Sequence, residues 1–229
     1  MDCVLEHPFE TGRFDDGDAL RPGGLELTVR AMQCAGFTAG MRVLDLGCGG
    51  GAGTALLHRH GCEVIGLDLS PARLADACRE SPAVGGDARR LPFADESMDG
   101  ILAECSLSLA GYDAGTLTEC RRVLRPGGRL AITDVYARHG DTDPTPLPGC
   151  LAGLAPRADI LAALAEAGVA IPRWEDPSDV QKVFLAQLIF SGRGAGALWT
   201  GDGSAYTAAL RAQRPGYFLL VAGKPTRSQ

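Results

Sequence analysis

The stretch MRVLDLGCGGGAGTALLHRH, residues 41–60, constrains the fold more than any other part of the chain. Met41–Leu46 is a short, largely apolar run of strand length, and Thr54–His60 reads as a helix. Between them stands GCGGGAG, a tight glycine loop. A buried strand that passes through glycines straight into a helix is the opening unit of a parallel α/β sheet. Glycine tolerates φ > 0 there and lets the backbone approach a ligand closely. Gly47-Cys48-Gly49-Gly50-Gly51-Ala52 also fits the nucleotide-type spacing G-x-G-x-x-A. Glycine-rich loops serve as plain turns as well, so the context decides.

That context is an alternation of strands and helices. Cys62–Leu69 reads as a second strand, and Ser70-Pro71 as an N-cap with proline in the first helical position, opening a helix to Glu80. A third strand near Ala83–Gly86 runs into Asp87, and Gly100–Glu104 is a fourth. Gly115–Leu124 is a helix and Gly128–Val135 a fifth strand. Such alternation builds a parallel sheet with helices on both faces. Beyond Asp134 come a proline-rich loop, an amphipathic helix from Arg157 to Ala167, a strand at Val169–Arg173, an apolar helix at Asp179–Phe190 and a closing strand at Tyr217–Gly223. One helix, Leu25–Ala35, precedes the sheet. The expected organisation is an N-terminal helical cap (1–40) and one domain (41–229), with a lid candidate at 174–205.

Composition excludes several functions. The net charge is −6 with no long Lys/Arg run, which argues against nucleic-acid and anionic-membrane partners. No stretch reaches the ~18 apolar residues of a membrane span, and MDCVLEHPFE lacks the basic start and apolar run of a secretory signal. A cytoplasmic location is expected. The eight cysteines include no CxxC, so neither a zinc site nor a disulfide framework is indicated, and no metal is expected.

Four acids carry the chemistry. Asp45, Asp68, Asp87 and Glu104 all fall near the carboxyl ends of strands one to four, the edge where open α/β sheets bind ligands. Four carboxylates around one cavity repel a pyrophosphate but suit a cofactor carrying an ammonium and a sulfonium. S-adenosylmethionine is therefore favoured over a nicotinamide dinucleotide.

VLDLGCGGGAGT, VIGLDLS, GDARRLPFADESMDGIL and RRVLRPGGRLAITD, in this order, resemble the class I S-adenosylmethionine-dependent methyltransferases of the type 11, ubiquinone/menaquinone-biosynthesis branch. The resemblance spans Gly40–Val135 closely and the remainder loosely. It implies a Rossmann-like, doubly wound, seven-stranded, mostly parallel sheet with the last strand antiparallel. It also implies that Asp45 and the Gly47, Cys48 and Gly49 backbone flank the methionine moiety, and that Asp68, with Leu69 beside it, binds the ribose. Asp87 and the Ala88 N–H would meet the adenine, and Glu104 would stand at the transfer point. Arg21, in RPGG before the first helix, is a candidate partner for the cofactor carboxylate.

ILAECSLSL, the LRPGGRLAITDV stretch, PGCLAGL and LAALAEAGV are similar to the corresponding parts of arsenite methyltransferases. The matching cysteines are Cys105 and Cys150, and soft thiolates suit a thiophilic metalloid. That family's Asn before the first Cys is Glu104 here, a carboxylate that disfavours a neighbouring thiolate. The expected function is methyl transfer to a small-molecule acceptor. Two other readings stand beside it: a nicotinamide-dependent oxidoreductase, resting on the glycine loop and Asp68, and a catalytically silent methyltransferase fold acting as a partner protein.

Overall fold

The computed structural model describes residues 21–77, 81–139, 151, 153–180 and 212–226. Among them, seven strands form one sheet: β1 (Arg42–Leu46), β2 (Glu63–Asp68), β3 (Ala83–Gly85), β4 (Met98–Glu104), β5 (Leu124–Ala137), β6 (Ala170–Glu175) and β7 (Pro215–Gly223). Their spatial order is β3-β2-β1-β4-β5-β7-β6. All pairs from β3 to β5 are parallel, and β7 lies antiparallel between β5 and β6. Five helices accompany it: α1 (Gly24–Ala35), α2 (Ala52–Arg59), α3 (Pro71–Ala77), α4 (Ala114–Val123) and α5 (Arg157–Glu166). This is the doubly wound sheet expected from the sequence, with its last strand antiparallel.

Local chemistry sets the element ends. Asp113 caps α4, its carboxylate accepting from the Thr116 N–H at 3.1 Å. Pro71 opens α3, and Gly36, at φ 73°, closes α1 in the left-handed conformation. Strand β5 starts at Leu124, earlier than the expected Gly128, because Leu124 already pairs with Met98 ahead of an irregularity between Met98 and Gly100. The RPGG turn is thereby drawn into the sheet edge.

The sheet's period of two sorts side chains into two layers. Leu44, Leu46, Ile101, Leu130, Ile132, Phe218 and Leu220 face α4 and α5. Val43, Leu102, Ala131, Val135, Tyr217, Leu219 and Val221 face the layer that holds α1 and α2. Alternation then puts Asp45, Glu104 and Thr133 on the α1/α2 side and Asp134 on the other. The strand order reverses between β1 and β4, and ligand crevices of doubly wound sheets open at such a point. α1, assigned to a separate cap from the sequence, packs on β4, β5 and β7 and forms part of this second core layer. Trp174, placed at the start of the lid candidate, belongs to β6 and stacks on Phe218 at 4.4 Å between ring centroids. The rest of the lid candidate after residue 180, and all of the Asp179–Phe190 helix beyond that point, lie outside the described residues.

Candidate active site

The glycine loop is held from below by β2. The N–H groups of Gly47 and Cys48 both donate to the Leu67 carbonyl, at 2.7 and 3.0 Å. Asp68, at the end of β2, accepts from the Gly49 N–H and the Ser70 N–H, each at 2.8 Å. Asp68 therefore ties the loop to the start of α3 and still has lone pairs for a ligand. Gly47 sits at φ 77°, and a Cβ there would stand 2.5 Å from the Ser106 Cβ, so glycine is required where this loop meets the segment after β4. The buried Cys48 sulfur fills the space over Gly66. Leu69 is the most exposed large apolar side chain described, at 71%, and offers a flat face beside Asp68.

At the reversal point two carboxylates converge on α2. A Cβ on Gly53 would lie 3.0 Å from Asp45 Oδ2 and 3.3 Å from Glu104 Oε2. Asp45 accepts from the Thr54 hydroxyl at 2.7 Å. Glu104 accepts from Thr28 Oγ1 at 3.1 and 3.2 Å and forms an ion pair with Arg21 at 2.6 Å. Arg21 also donates to Thr28 at 2.6 Å, so α1 and the turn before it deliver a hydroxyl and a guanidinium to one carboxylate. Burial raises the pKa of both acids. For Glu104 the Arg21 charge opposes that rise, and Asp45 adds to it. Burial works against the Arg21 charge too, but Glu104 and the neighbouring groups hold its pKa above the ordinary value. The Arg21 Nε is buried and has no hydrogen-bond partner among the described residues.

The loop after β4 carries Cys105, at φ 49°. Its N–H donates to the Thr133 carbonyl at 2.8 Å, and its sulfur lies 3.0 Å from the Tyr217 hydroxyl. Tyr217 is fully buried and also reaches Thr133 Oγ1 at 3.4 Å. Beneath this loop, buried Asp134 accepts from the Ser108 N–H (2.9 Å), the Ser108 hydroxyl (2.7 Å) and the Val135 N–H (2.8 Å). Burial pushes Asp134 up to about 6 in spite of these donors. Gly153 packs directly against the Ser108 carbonyl, leaving no room for any side chain. Cys150 lies outside the described residues.

Asp87 follows β3 as expected, but it has a partner that the sequence reading did not anticipate. Arg89 donates to Asp87 Oδ2 through Nε (3.0 Å) and Nη2 (2.6 Å), and to Oδ1 through Nε and its backbone N–H. These bonds lower its pKa to about 2. Ala88 is half-buried against the core. Among the described residues no group of three or more His, Cys, Asp or Glu side chains is placed to hold a metal ion. No helix among them is long and apolar enough to cross a membrane.

Thr28, Thr133, Asp134, Tyr217 and Arg89 escaped the sequence reading. GDARRL does show an arginine two residues after Asp87, and period-two alternation places Tyr217 and Thr133 on one face. Nothing in the sequence pairs Thr28 with Glu104, 76 residues away.

A glycine loop after β1, an acid ending β2 and two carboxylates at the reversal point are the arrangement that the methyltransferase resemblance implies. Comparison with known proteins agrees: residues 44–132 match the family described as "Methyltransferase domain". The chain is 31% identical over 189 residues to the demethylmenaquinone methyltransferase of Mycolicibacterium paratuberculosis, covering 79% of each. It is 36% identical over 151 residues to an arsenite methyltransferase of Halobacterium salinarum, covering 58% of this chain and 38% of that relative. The chain thus spans well under half the length of the second protein. The crystal structure of the [4+2]-cyclase SpnF superimposes with a TM-score of 0.72 at 26% identity, over 88% of this chain and 81% of that one. The chain belongs to the S-adenosylmethionine-dependent methyltransferases.

Proposed function

We propose that this chain catalyses S-adenosylmethionine-dependent methyl transfer to a small acceptor, and that a thiophilic metalloid such as arsenite is that acceptor. The observation that carries the first part is the convergence of Asp45, Glu104 and Arg21 over Gly53. Two buried carboxylates and one guanidinium leave an acidic cradle with an unpartnered buried N–H, that of Arg21 Nε. A ligand with a cationic centre and a carboxylate satisfies both features. The pyrophosphate of a nicotinamide cofactor satisfies only the second and is repelled by the first.

In this reading Asp68 accepts from the ribose hydroxyls while holding Gly49, Leu69 covers the adenine face, and Asp87 and Ala88 border its edge. Arg21 takes the methionine carboxylate, and Asp45 and Glu104 face the ammonium and sulfonium. The bound cofactor supplies an electrophilic methyl on sulfur. The protein's task is to align a nucleophile about 3–3.5 Å from it and to keep water out. Cys105 stands next to Glu104 and holds the acceptor there. Cys150 is its proposed partner on the likeness to the arsenite methyltransferase alone.

The SpnF likeness supports a second reading, in which the fold and site serve a different reaction. The test is calorimetry with S-adenosylhomocysteine, followed by transfer of labelled methyl to arsenite, with and without added thiol. Tight cofactor binding with arsenite methylation supports the proposal. Binding without transfer to arsenite overturns its second part, and absence of binding overturns the whole.

A further inference from the structure

Glu104 was the electrostatic objection to a functional thiol at Cys105, since two neighbouring negative charges oppose each other. The structure connects the two residues through hydroxyl groups. Cys105 Sγ lies 3.0 Å from the Tyr217 hydroxyl, which donates to Thr133 Oγ1 at 3.4 Å, and Thr133 donates in turn to Glu104 Oε1 at 3.4 Å. Tyr217 and Thr133 are both fully buried, so no solvent enters the chain of groups. Tyr217 comes from β7, Thr133 from β5 and Glu104 from β4, on one face of the sheet.

We infer that Tyr217 is a positioning residue that links the Cys105 thiol to Glu104 as a buried proton relay, allowing the thiol to ionise when a thiophilic acceptor arrives. The Cys105 proton passes to the Tyr217 oxygen, the Tyr217 proton to the Thr133 oxygen, and the Thr133 proton to the Glu104 carboxylate. Each oxygen gives one proton and gains one, the sulfur keeps the S–H electron pair, and the total charge is unchanged. The outcome is a thiolate that accepts from Tyr217 and a neutral Glu104. The carboxylate that would have repelled the thiolate has then become its proton store. Links of 3.4 Å are long for O–H donors, as hydrogen bonds often are before substrate tightens a site. Burial raises the pKa of Glu104, which favours its taking the proton, while Arg21 opposes this and Asp45 assists it. The Asp134 charge, from the opposite face of the sheet, also adds to the cost of any charge on Tyr217.

This inference rests on the role given to Cys105 above, and its test is independent of turnover. The rate of Cys105 alkylation by iodoacetamide is followed from pH 4 to pH 10, with the modified residue located by peptide fragmentation. Cys120, in the same stretch, is fully buried with its thiol pushed up to about 12, and so stays silent. A thiol and a carboxyl that share one proton keep a constant thiolate fraction over a range of pH. The wild-type rate should therefore level off on the acid side instead of falling tenfold per unit. Glu104→Gln should remove the plateau, and Tyr217→Phe should slow alkylation at pH 7 about tenfold through the lost hydrogen bond to a charged group. A step from Asp134 would persist in Glu104→Gln, so it cannot imitate this result. A wild-type profile without a plateau, or a Tyr217→Phe profile superimposed on it, overturns the relay. If the plateau is present but arsenite is not methylated, the relay stands and the acceptor assignment alone falls.

Discussion

Replacing Asp68 tests the site and the fold together, because this carboxylate holds the glycine loop in the structure and binds the ribose in the proposed complex. Its oxygens accept from the Gly49 and Ser70 N–H groups, each at 2.8 Å, on a residue only 8% exposed. In the proposed complex they also accept from the ribose. Hydrogen bonds to a charged acceptor contribute about 1.5–3 kcal/mol each. Asp68→Asn keeps one carbonyl oxygen and turns an NH₂ toward the second backbone donor, so at least one bond is lost and Gly49 or Ser70 is released. The expected loss of S-adenosylhomocysteine affinity is about 1.5–3 kcal/mol, or roughly 10- to 150-fold. Asp68→Ala removes the acceptor of both backbone N–H donors as well, at about 2–4 kcal/mol of stability once water has partly replaced it, or roughly 5–15 °C in Tm for a domain of this size. Isothermal calorimetry and thermal melting on the same preparations separate the two duties. Asn-variant affinity within threefold of wild type would refute the ribose assignment, and an unchanged Tm for the Ala variant would refute the tie to the glycine loop.

Gly47→Ala should abolish cofactor binding in calorimetry, since φ 77° strains any L side chain and the new methyl would meet Ser106 at 2.5 Å. Asp87→Asn should narrow the preference of the site for the adenosyl over the inosyl form of S-adenosylhomocysteine, because an amide can donate to the hypoxanthine carbonyl; an undiminished preference counts against the adenine role. Asp134 holds its proton more tightly folded, with a pKa of about 6, than unfolded, at about 4. Its contribution to stability is therefore full below pH 4 and is lost as the pH rises through 6, by about 3 kcal/mol at most. Urea titrations at pH 4.5 and 7.5 should show that dependence reduced in Asp134→Asn. Arsenite titration followed by intrinsic fluorescence should lose its response in both Cys105→Ser and Cys150→Ser if the two thiols bind it together; a retained response in either single variant rejects the pair.

The sheet was legible because each of its strands announces itself locally. MRVLDL, CEVIGLDL and YFLLVAG are apolar runs bounded by glycine, proline or helix caps, and periodicity needs no knowledge of distant contacts. The acids at the strand ends were legible for the same reason, since topology puts every strand end of a parallel sheet on one edge. The partners of those acids were not. Arg21 reads as a turn residue in RPGG, and its pairing with Glu104 exists only because α1 lies across β4 and β5. Tyr217 reads as one more apolar position in a closing strand, and only the insertion of β7 beside β5 brings its hydroxyl to Thr133 and Cys105. Local pattern fixes which face a side chain takes, whereas polar contacts across the sheet depend on register and on strand order.

The partners found in the structure sharpen the choice between cofactors. From the sequence, four carboxylates argued for a cationic ligand by number alone. Two of them have fixed neighbours: Asp87 is neutralised by Arg89, and Asp68 is satisfied by backbone N–H groups. What remains is the pair Asp45 and Glu104, opposed among the described residues by the single cation Arg21, so this part of the buried cluster carries one net negative charge when both acids are ionised. Burial raises the pKa of both acids, so their charge is costly there. An ammonium, a sulfonium and a carboxylate together bring one net positive charge and a separate acceptor for Arg21, which offsets that cost. A nicotinamide dinucleotide brings its pyrophosphate charge to the same edge and increases the cost. In the proposed complex the discrimination thus lies in two buried acids and one arginine at the point where the strand order reverses, with the glycine loop serving both cofactors alike.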